Sequence, residues 1–149
     1  MNRRQRNIII NFVSVIVITS IAIVALINFK DYVNRSESMQ AVNQLSRIVL
    51  KYRKAHGSVP PESYINDITE ELQGKVRLGK IIYRGRWIDF GAPPYEILAY
   101  VKKNYRSFLI QDGYIVLKLD GRVEWMEPKE FKELLARQQK PMEKELLAK

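Results

Sequence analysis

The stretch DGYIVLKLDGRVEWMEPKEF, residues 112–131, decides how the C-terminal half of the chain folds. Asp112-Gly113 and Asp120-Gly121 are dipeptides favoured in two-residue hairpin turns, because both residue types tolerate positive φ. Read as such turns, they predict a three-stranded antiparallel meander over residues 107–111, 114–119 and 122–126. Two-residue loops would place Ile110, Ile115 and Met126 on one face, and Leu109, Val116 and Trp125 on the other. Both faces are apolar, so each needs a cover. Glu127-Pro128 opens a helix whose Phe131, Leu134 and Leu135 cover part of one face.

The other cover lies upstream. Met39, Val42, Leu45, Val49 and Tyr52 recur at three- and four-residue steps, with Arg47, Lys51 and Arg53 off that stripe, which predicts a helix over residues 38–56. Gly57 stops it, Pro60-Pro61 prevents an immediate restart, and His56 stands where a cationic side chain suits a helix end. No Pro or Gly lies between Ile8 and His56. The helix therefore continues backwards as one rod, with a weak point expected at residues 34–38. A short acidic helix follows over residues 62–72, with Tyr64, Ile65, Ile68 and Leu72 on its inner side and Gly74 at its end. Strands are expected around residues 81–83 and 97–101, the second joined to residues 107–111 by the basic turn 102–106. Beyond Pro141 the chain is charged and expected to fray.

The start of the chain sets the setting for this domain. No charged residue occurs between Arg6 and Lys30, and residues 8–27 are rich in Ile and Val. At about 1.5 Å per residue this run spans about 30 Å, the thickness of a bilayer's hydrocarbon core. Ile8, Asn11, Phe12, Ile16, Ile21 and Ile27 mark the expected anchor. Arg3, Arg4 and Arg6 precede the run with no acid among them, while Lys30, Asp31, Arg35 and Glu37 follow it and cancel. The positive-inside rule then holds a short N-terminus in the cytoplasm and places everything after Lys30 on the far side of the inner membrane. A cleaved signal peptide is the alternative, but its apolar region would be about 7–15 residues, and Ala22, Ala25 and Asn28 make a poor cleavage site.

Composition excludes several chemistries. The 149 residues carry no cysteine and a single histidine, so disulfides, thiol catalysis and Cys-ligated zinc are out, and a His-based metal site has too few ligands. Asp112 and Asp120, at opposite ends of one strand, should stand about 20 Å apart, too far for paired acid–base work. Asp67, Glu70 and Glu71 match no calcium-loop spacing and read as a solvated helix face. No phosphate-binding glycine loop and no nucleophile elbow is present. No catalytic, cofactor or metal residue is therefore assigned, and the chain does not read as an enzyme; an anchored hydrolase ranks last. The formal charge of +9 favours an anionic partner. Lys75, Arg77, Lys80, Arg84 and Arg86, with Tyr83 and Trp87 nearby, are the candidate contacts for an anionic polymer: lipid, cell-wall polymer or nucleic acid.

Two blocks carry a family resemblance. AVNQLSRIVLKYRKAHGSVPP resembles the helix end of the type IV pilin-like proteins, particularly the pseudopilins of type II secretion, through Tyr52, Gly57 and Pro60. GYIVLKLDGRVEWMEPKEFKELLA is similar to a terminal hairpin of bacterial pilin-like proteins with the pattern Asp-Gly-His-Val-Glu-Trp. Asp120, Gly121, Val123, Glu124 and Trp125 match, and Arg122 stands where His is usual. Pilin-like precursors carry Gly before the apolar run and Glu five residues after the cut; here Arg6 and Asn11 occupy those places, which counts against processing. The resemblance implies an α+β fold, with a long helix laid on a small antiparallel sheet and a short C-terminal helix. It also implies a structural role with pilin-like or secretion-system partners or further copies of the chain. The expected organisation is a basic arm 1–6, an anchor 7–29, a helix continuation and Pro-rich end 30–61, a sheet domain 62–140 and a charged tail 141–149.

Overall fold

The structure, a computed structural model, describes residues 2–72 and 75–147. The fold is α+β. Helix α1, Arg3–His56, runs unbroken for 54 residues. The expected weak point at residues 34–38 is fully helical, and its polar residues are in use: Ser38 is buried and donates to Arg77 O at 3.0 Å. Gly57 ends the helix at φ 73°, returning its N–H to Arg53 O at 2.8 Å. His56 lies flat on Tyr52 (centroids 4.1 Å apart) with Nδ1 3.1 Å from Tyr52 O, the helix-end role anticipated for it.

Helix α2, Glu62–Glu71, buries Ile65, and its neighbour Leu72 is buried too. The expected stop at Gly74 lies outside the described residues. Helix α3, Lys75–Leu78, leads into four strands: β1 Ile81–Tyr83, β2 Ile97–Lys103, β3 Gly113–Lys118 and β4 Val123–Met126. They pair antiparallel in the order β1-β2-β3-β4. Helix α4, Pro128–Gln138, and helix α5, Pro141–Leu147, complete the chain.

The sheet is covered on both faces. Ala41, Val42, Leu45 and Val49 of α1 pack with Leu98, Ala99, Val101, Ile115 and Leu117 on one side. Phe131 of α4 packs with Ile97, Tyr100, Val116 and Met126 on the other, its ring stacked on Tyr114 at 3.8 Å. Each fully buried aliphatic or Phe side chain contributes about 1.5–3 kcal/mol over its exposed state. The seam along α1 and the pair of sheet faces therefore supply most of the driving force.

Two expectations about the meander are corrected. Residues 107–111 form no strand; β3 pairs instead with β2, and residues 104–112 are a loop between them. Asp112-Gly113 is therefore no tight turn. Gly113 is the first residue of β3 and pairs with Lys103 of β2, and a Cβ on it would meet Met126 O of β4 at 2.6 Å and the Trp125 ring. The second hairpin does turn at Asp120-Gly121, but through a three-residue loop. Lys118 N donates to Arg122 O (2.9 Å), Gly121 N donates to Lys118 O (3.0 Å), and Gly121 takes φ 89°. That one residue shifts the register, so Ile115 opposes Trp125 rather than Met126. A one-residue slip exchanges faces. Trp125 accordingly packs on the α1 side with Ile115, and Met126 on the α4 side with Val116.

Gly113→Ala should lower stability by about 1–3 kcal/mol, as overpacking does, because a backbone carbonyl cannot rotate away from the new methyl. Chemical denaturation in micelles checks it; an unchanged midpoint would mean that the two strands separate there at little cost.

The charged end of the chain is the third correction. It does not fray among the described residues: α5 is held by an ion pair between Glu143 (0% exposed) and Arg84 (1% exposed). The contact is bidentate, Nε to Oε1 at 2.6 Å and Nη2 to Oε2 at 3.0 Å. Arg84 also donates to Ile97 O (2.7 Å) and Gln138 O (3.2 Å), and Glu96 stands 3.8 Å away. Burial pushes the Glu96 carboxyl above the usual range, with Arg84 opposing.

Candidate functional site

The anchor residues Ile8, Phe12, Ile16, Ile21 and Ile27 all lie on the first half of α1 and are exposed, as is Asn11. This is the one helix among the described residues long and apolar enough to cross a membrane, and none of its most apolar window is buried. A helix apolar on every face and covered by nothing is out of place in water. From Ser38 onwards the same helix carries the domain core. The change of surroundings takes place between residues 28 and 38, within one continuous hydrogen-bonded rod.

The loop of residues 104–112 docks at this change. Asp31, nearly buried, accepts the N–H groups of Arg106 and Ser107 on Oδ2, both at 2.9 Å. Asn28 Oδ1 accepts Leu109 N at 3.4 Å. Within the loop, Asp112 Oδ1 accepts Tyr105 N at 2.6 Å and Ser107 Oγ accepts Ile110 N at 2.8 Å. The bonds to the Asp31 and Asp112 carboxylates are charge-assisted and among the stronger ones available to a loop backbone. The loop is therefore fixed by side-chain acceptors on both flanks. Its tip nevertheless exposes Phe108 (90%) and Leu109 (80%). Phe29 and Tyr32 are exposed on the adjacent turn of α1, and so are Lys30 and Arg106.

Beneath the loop, Tyr105 packs on Trp125 at 5.9 Å, and the Arg35 guanidinium lies 4.1 Å over the Trp125 ring. The Tyr105 hydroxyl is buried without a hydrogen-bond partner among the described residues. Burial pushes its pKa up to about 12, with Arg35 pulling down and Asp31 and Asp112 pushing up. It stays protonated at neutral pH and acts as packing.

The two turn carboxylates serve their own loops. Asp112 caps the Tyr105 N–H, while Asp120 accepts Arg122 N at 3.0 Å and Arg122 Nε at 2.6 Å. Burial raises the Asp120 pKa, but the bonds from Arg122 outweigh it and leave the carboxyl below its ordinary value. Arg122 thus forms a fork across its own turn. Gly121 O in the same turn accepts from Ser46, and Arg53 donates to Leu119 O, which fastens the hairpin to α1.

The basic stretch divides. Arg84 points into the protein and leaves the set of anion contacts. Arg77 pairs with Glu37 at 2.9 Å, both half exposed. Lys80 and Arg86 are exposed, Arg86 lying over Trp87 at 4.9 Å. Lys75 sits on α3, and its side chain is outside the described ones. No group of three or more metal-ligating side chains occurs among the described residues.

The long, bare apolar run of α1 is legible in the sequence, whereas the Asp31 contacts and the loop tip are not. In the sequence Asp31 is one of four cancelling charges, and Phe108 and Leu109 fall in an expected strand, because an apolar pair beside an Asp-Gly reads as half of a hairpin. The usable signal is an acid about one helical turn past the end of an apolar run, together with an aromatic in a basic segment.

No family model, curated protein or solved structure matches this chain.

Proposed function

We propose that this chain is a single-pass, membrane-anchored, pilin-shaped structural protein that works through protein–protein contacts. One observation carries the reading: one uninterrupted helix is bare and apolar over its first half and forms the core seam of an antiparallel-sheet domain over its second. A rod of that kind, with a sheet and a closing hairpin laid on it, is also what the resemblance to type IV pilin-like proteins and type II secretion pseudopilins implies. In this reading Arg3, Arg4 and Arg6 stay in the cytoplasm, the span lies in the inner membrane, and the domain stands on the periplasmic side. The bare helix serves as a lipid anchor and as a packing face for other pilin-like helices. Arg6 and Asn11 at the processing positions favour an uncut form.

The experiment is photo-crosslinking from position 16 in native membranes, combined with extraction and intact mass. We expect release only with detergent, an intact Arg6–Asn7 bond, and protein adducts of discrete mass. Lipid adducts alone would remove the assembly role, and recovery of the full chain in the soluble fraction would end the anchor. A cut at Arg6–Asn7 would place the chain among processed, assembling subunits.

A further inference from the structure

We infer that the tip of loop 104–112 is a second membrane contact, with Phe108 and Leu109 seated in the headgroup region of the leaflet nearest the domain. The inference rests on the reading that α1 spans a bilayer. The geometry comes from the chain itself. The apolar run ends at Ile27, and the next residue, Asn28, is hydrogen-bonded to Leu109 N. A span of residues 8–27, at about 1.5 Å per residue, fills a hydrocarbon core of about 30 Å. The boundary of that core therefore falls at the height where Leu109 is tied. Asp31, about one helical turn further along, holds the other side of the loop.

The tip cannot fold back onto the domain without breaking these bonds. Four side-chain acceptors (Asn28, Asp31, Ser107 and Asp112) present it with its two apolar side chains outward. Two adjacent large apolar residues, each at least 80% exposed on a fixed loop, are unfavourable in water. At a membrane surface the same side chains are favourable, and their surroundings fit that place. Phe29 and Tyr32 on the adjoining turn make an aromatic flank of the kind found at membrane interfaces, and Lys30 and Arg106 are positioned for lipid phosphates. The committed occupant is lipid, because the tip is continuous with the bare surface of the anchor.

The absence of cysteine makes the test direct. Leu109→Cys, Val17→Cys and Lys132→Cys in the full-length chain would each carry a spin label in bilayer nanodiscs containing phosphatidylglycerol. Depth is read from collisions with oxygen and with a water-soluble nickel chelate. The label at 17 should report the bilayer interior and the label at 132 bulk water. The label at 109 should lie within about 5–10 Å of the headgroup–acyl boundary, with an oxygen-to-nickel ratio severalfold above that at 132. If 109 matches 132 while 17 is deep, the loop inference falls and the anchor stands. If 17 is in water, the anchor reading falls with it. A label at 109 shielded from both reagents would mean that a protein covers the tip, which also overturns the inference.

Discussion

Glu143→Ala lowers the stability of the folded domain by about 3–5 kcal/mol, the cost of leaving a buried guanidinium without its carboxylate. Arg84 is enclosed, and its remaining partners are two backbone carbonyls and Glu96 at 3.8 Å. The carbonyls carry no charge, and Glu96 is too distant to replace a bidentate contact. Glu143→Gln keeps one acceptor oxygen and should cost less. Arg84→Met with Glu143→Leu should recover much of the loss, because a pair removed together leaves no charge behind. Thermal and denaturant unfolding in detergent micelles distinguish the three variants. A Glu143→Ala chain within about 0.5 kcal/mol of the parent, the range of ordinary surface substitutions, would show that α5 is not docked as described.

The second large effect is in the apolar half of α1, which we propose spans the membrane. Val17→Lys with Ile21→Lys places two cations near the middle of the run, each costing about 2.5–3.5 kcal/mol of insertion free energy. We expect the chain to move from the detergent-requiring fraction to the aqueous or aggregated one. The domain itself should keep its unfolding midpoint, because both residues are exposed and none of the core touches them. Retention in the membrane after both changes would mean that something other than this helix holds the chain there.

These two sites differ in how far a reader of the sequence could have seen them. The apolar run of α1 announces itself through composition alone, and the α1 seam through spacing, since both depend on residues close together in the chain. The faces covering the sheet were likewise legible, with Phe131, Leu134 and Leu135 on one side and the 38–56 helix on the other. Register was not, because Asp120-Gly121 suits a two-residue and a three-residue loop equally, and the difference of one residue exchanged Trp125 with Met126. The Arg84–Glu143 pair joins residues 59 positions apart, and nothing local marks either one as buried. Gly113 misled in a more specific way: a glycine after Asp signals a turn, whereas here the space is taken by the neighbouring strand.

The loop at 104–112 shows the same limit in the functional region. Asp31 acts only when the fold brings residues 75 or 76 positions away to its carboxylate. Its value to the structure is invisible in a charge count, which registers it merely as one acid among neighbouring bases.

One helix passes from the bare apolar segment into the core without a hinge, and so the domain has no heading independent of that segment. From Ile27 to His56 the rod measures about 44 Å, so a 10° change of tilt would swing its far end by about 8 Å. Azimuth is coupled as tightly. Each residue turns the helix by about 100°, so inserting one residue in the apolar segment would re-aim the sheet by a quarter turn or more relative to whatever grips that segment. Seven inserted residues would restore the aim to within about 20° while lifting the domain by about 10 Å. The number of residues in the span is thus also the setting that determines which side of the domain faces a neighbour.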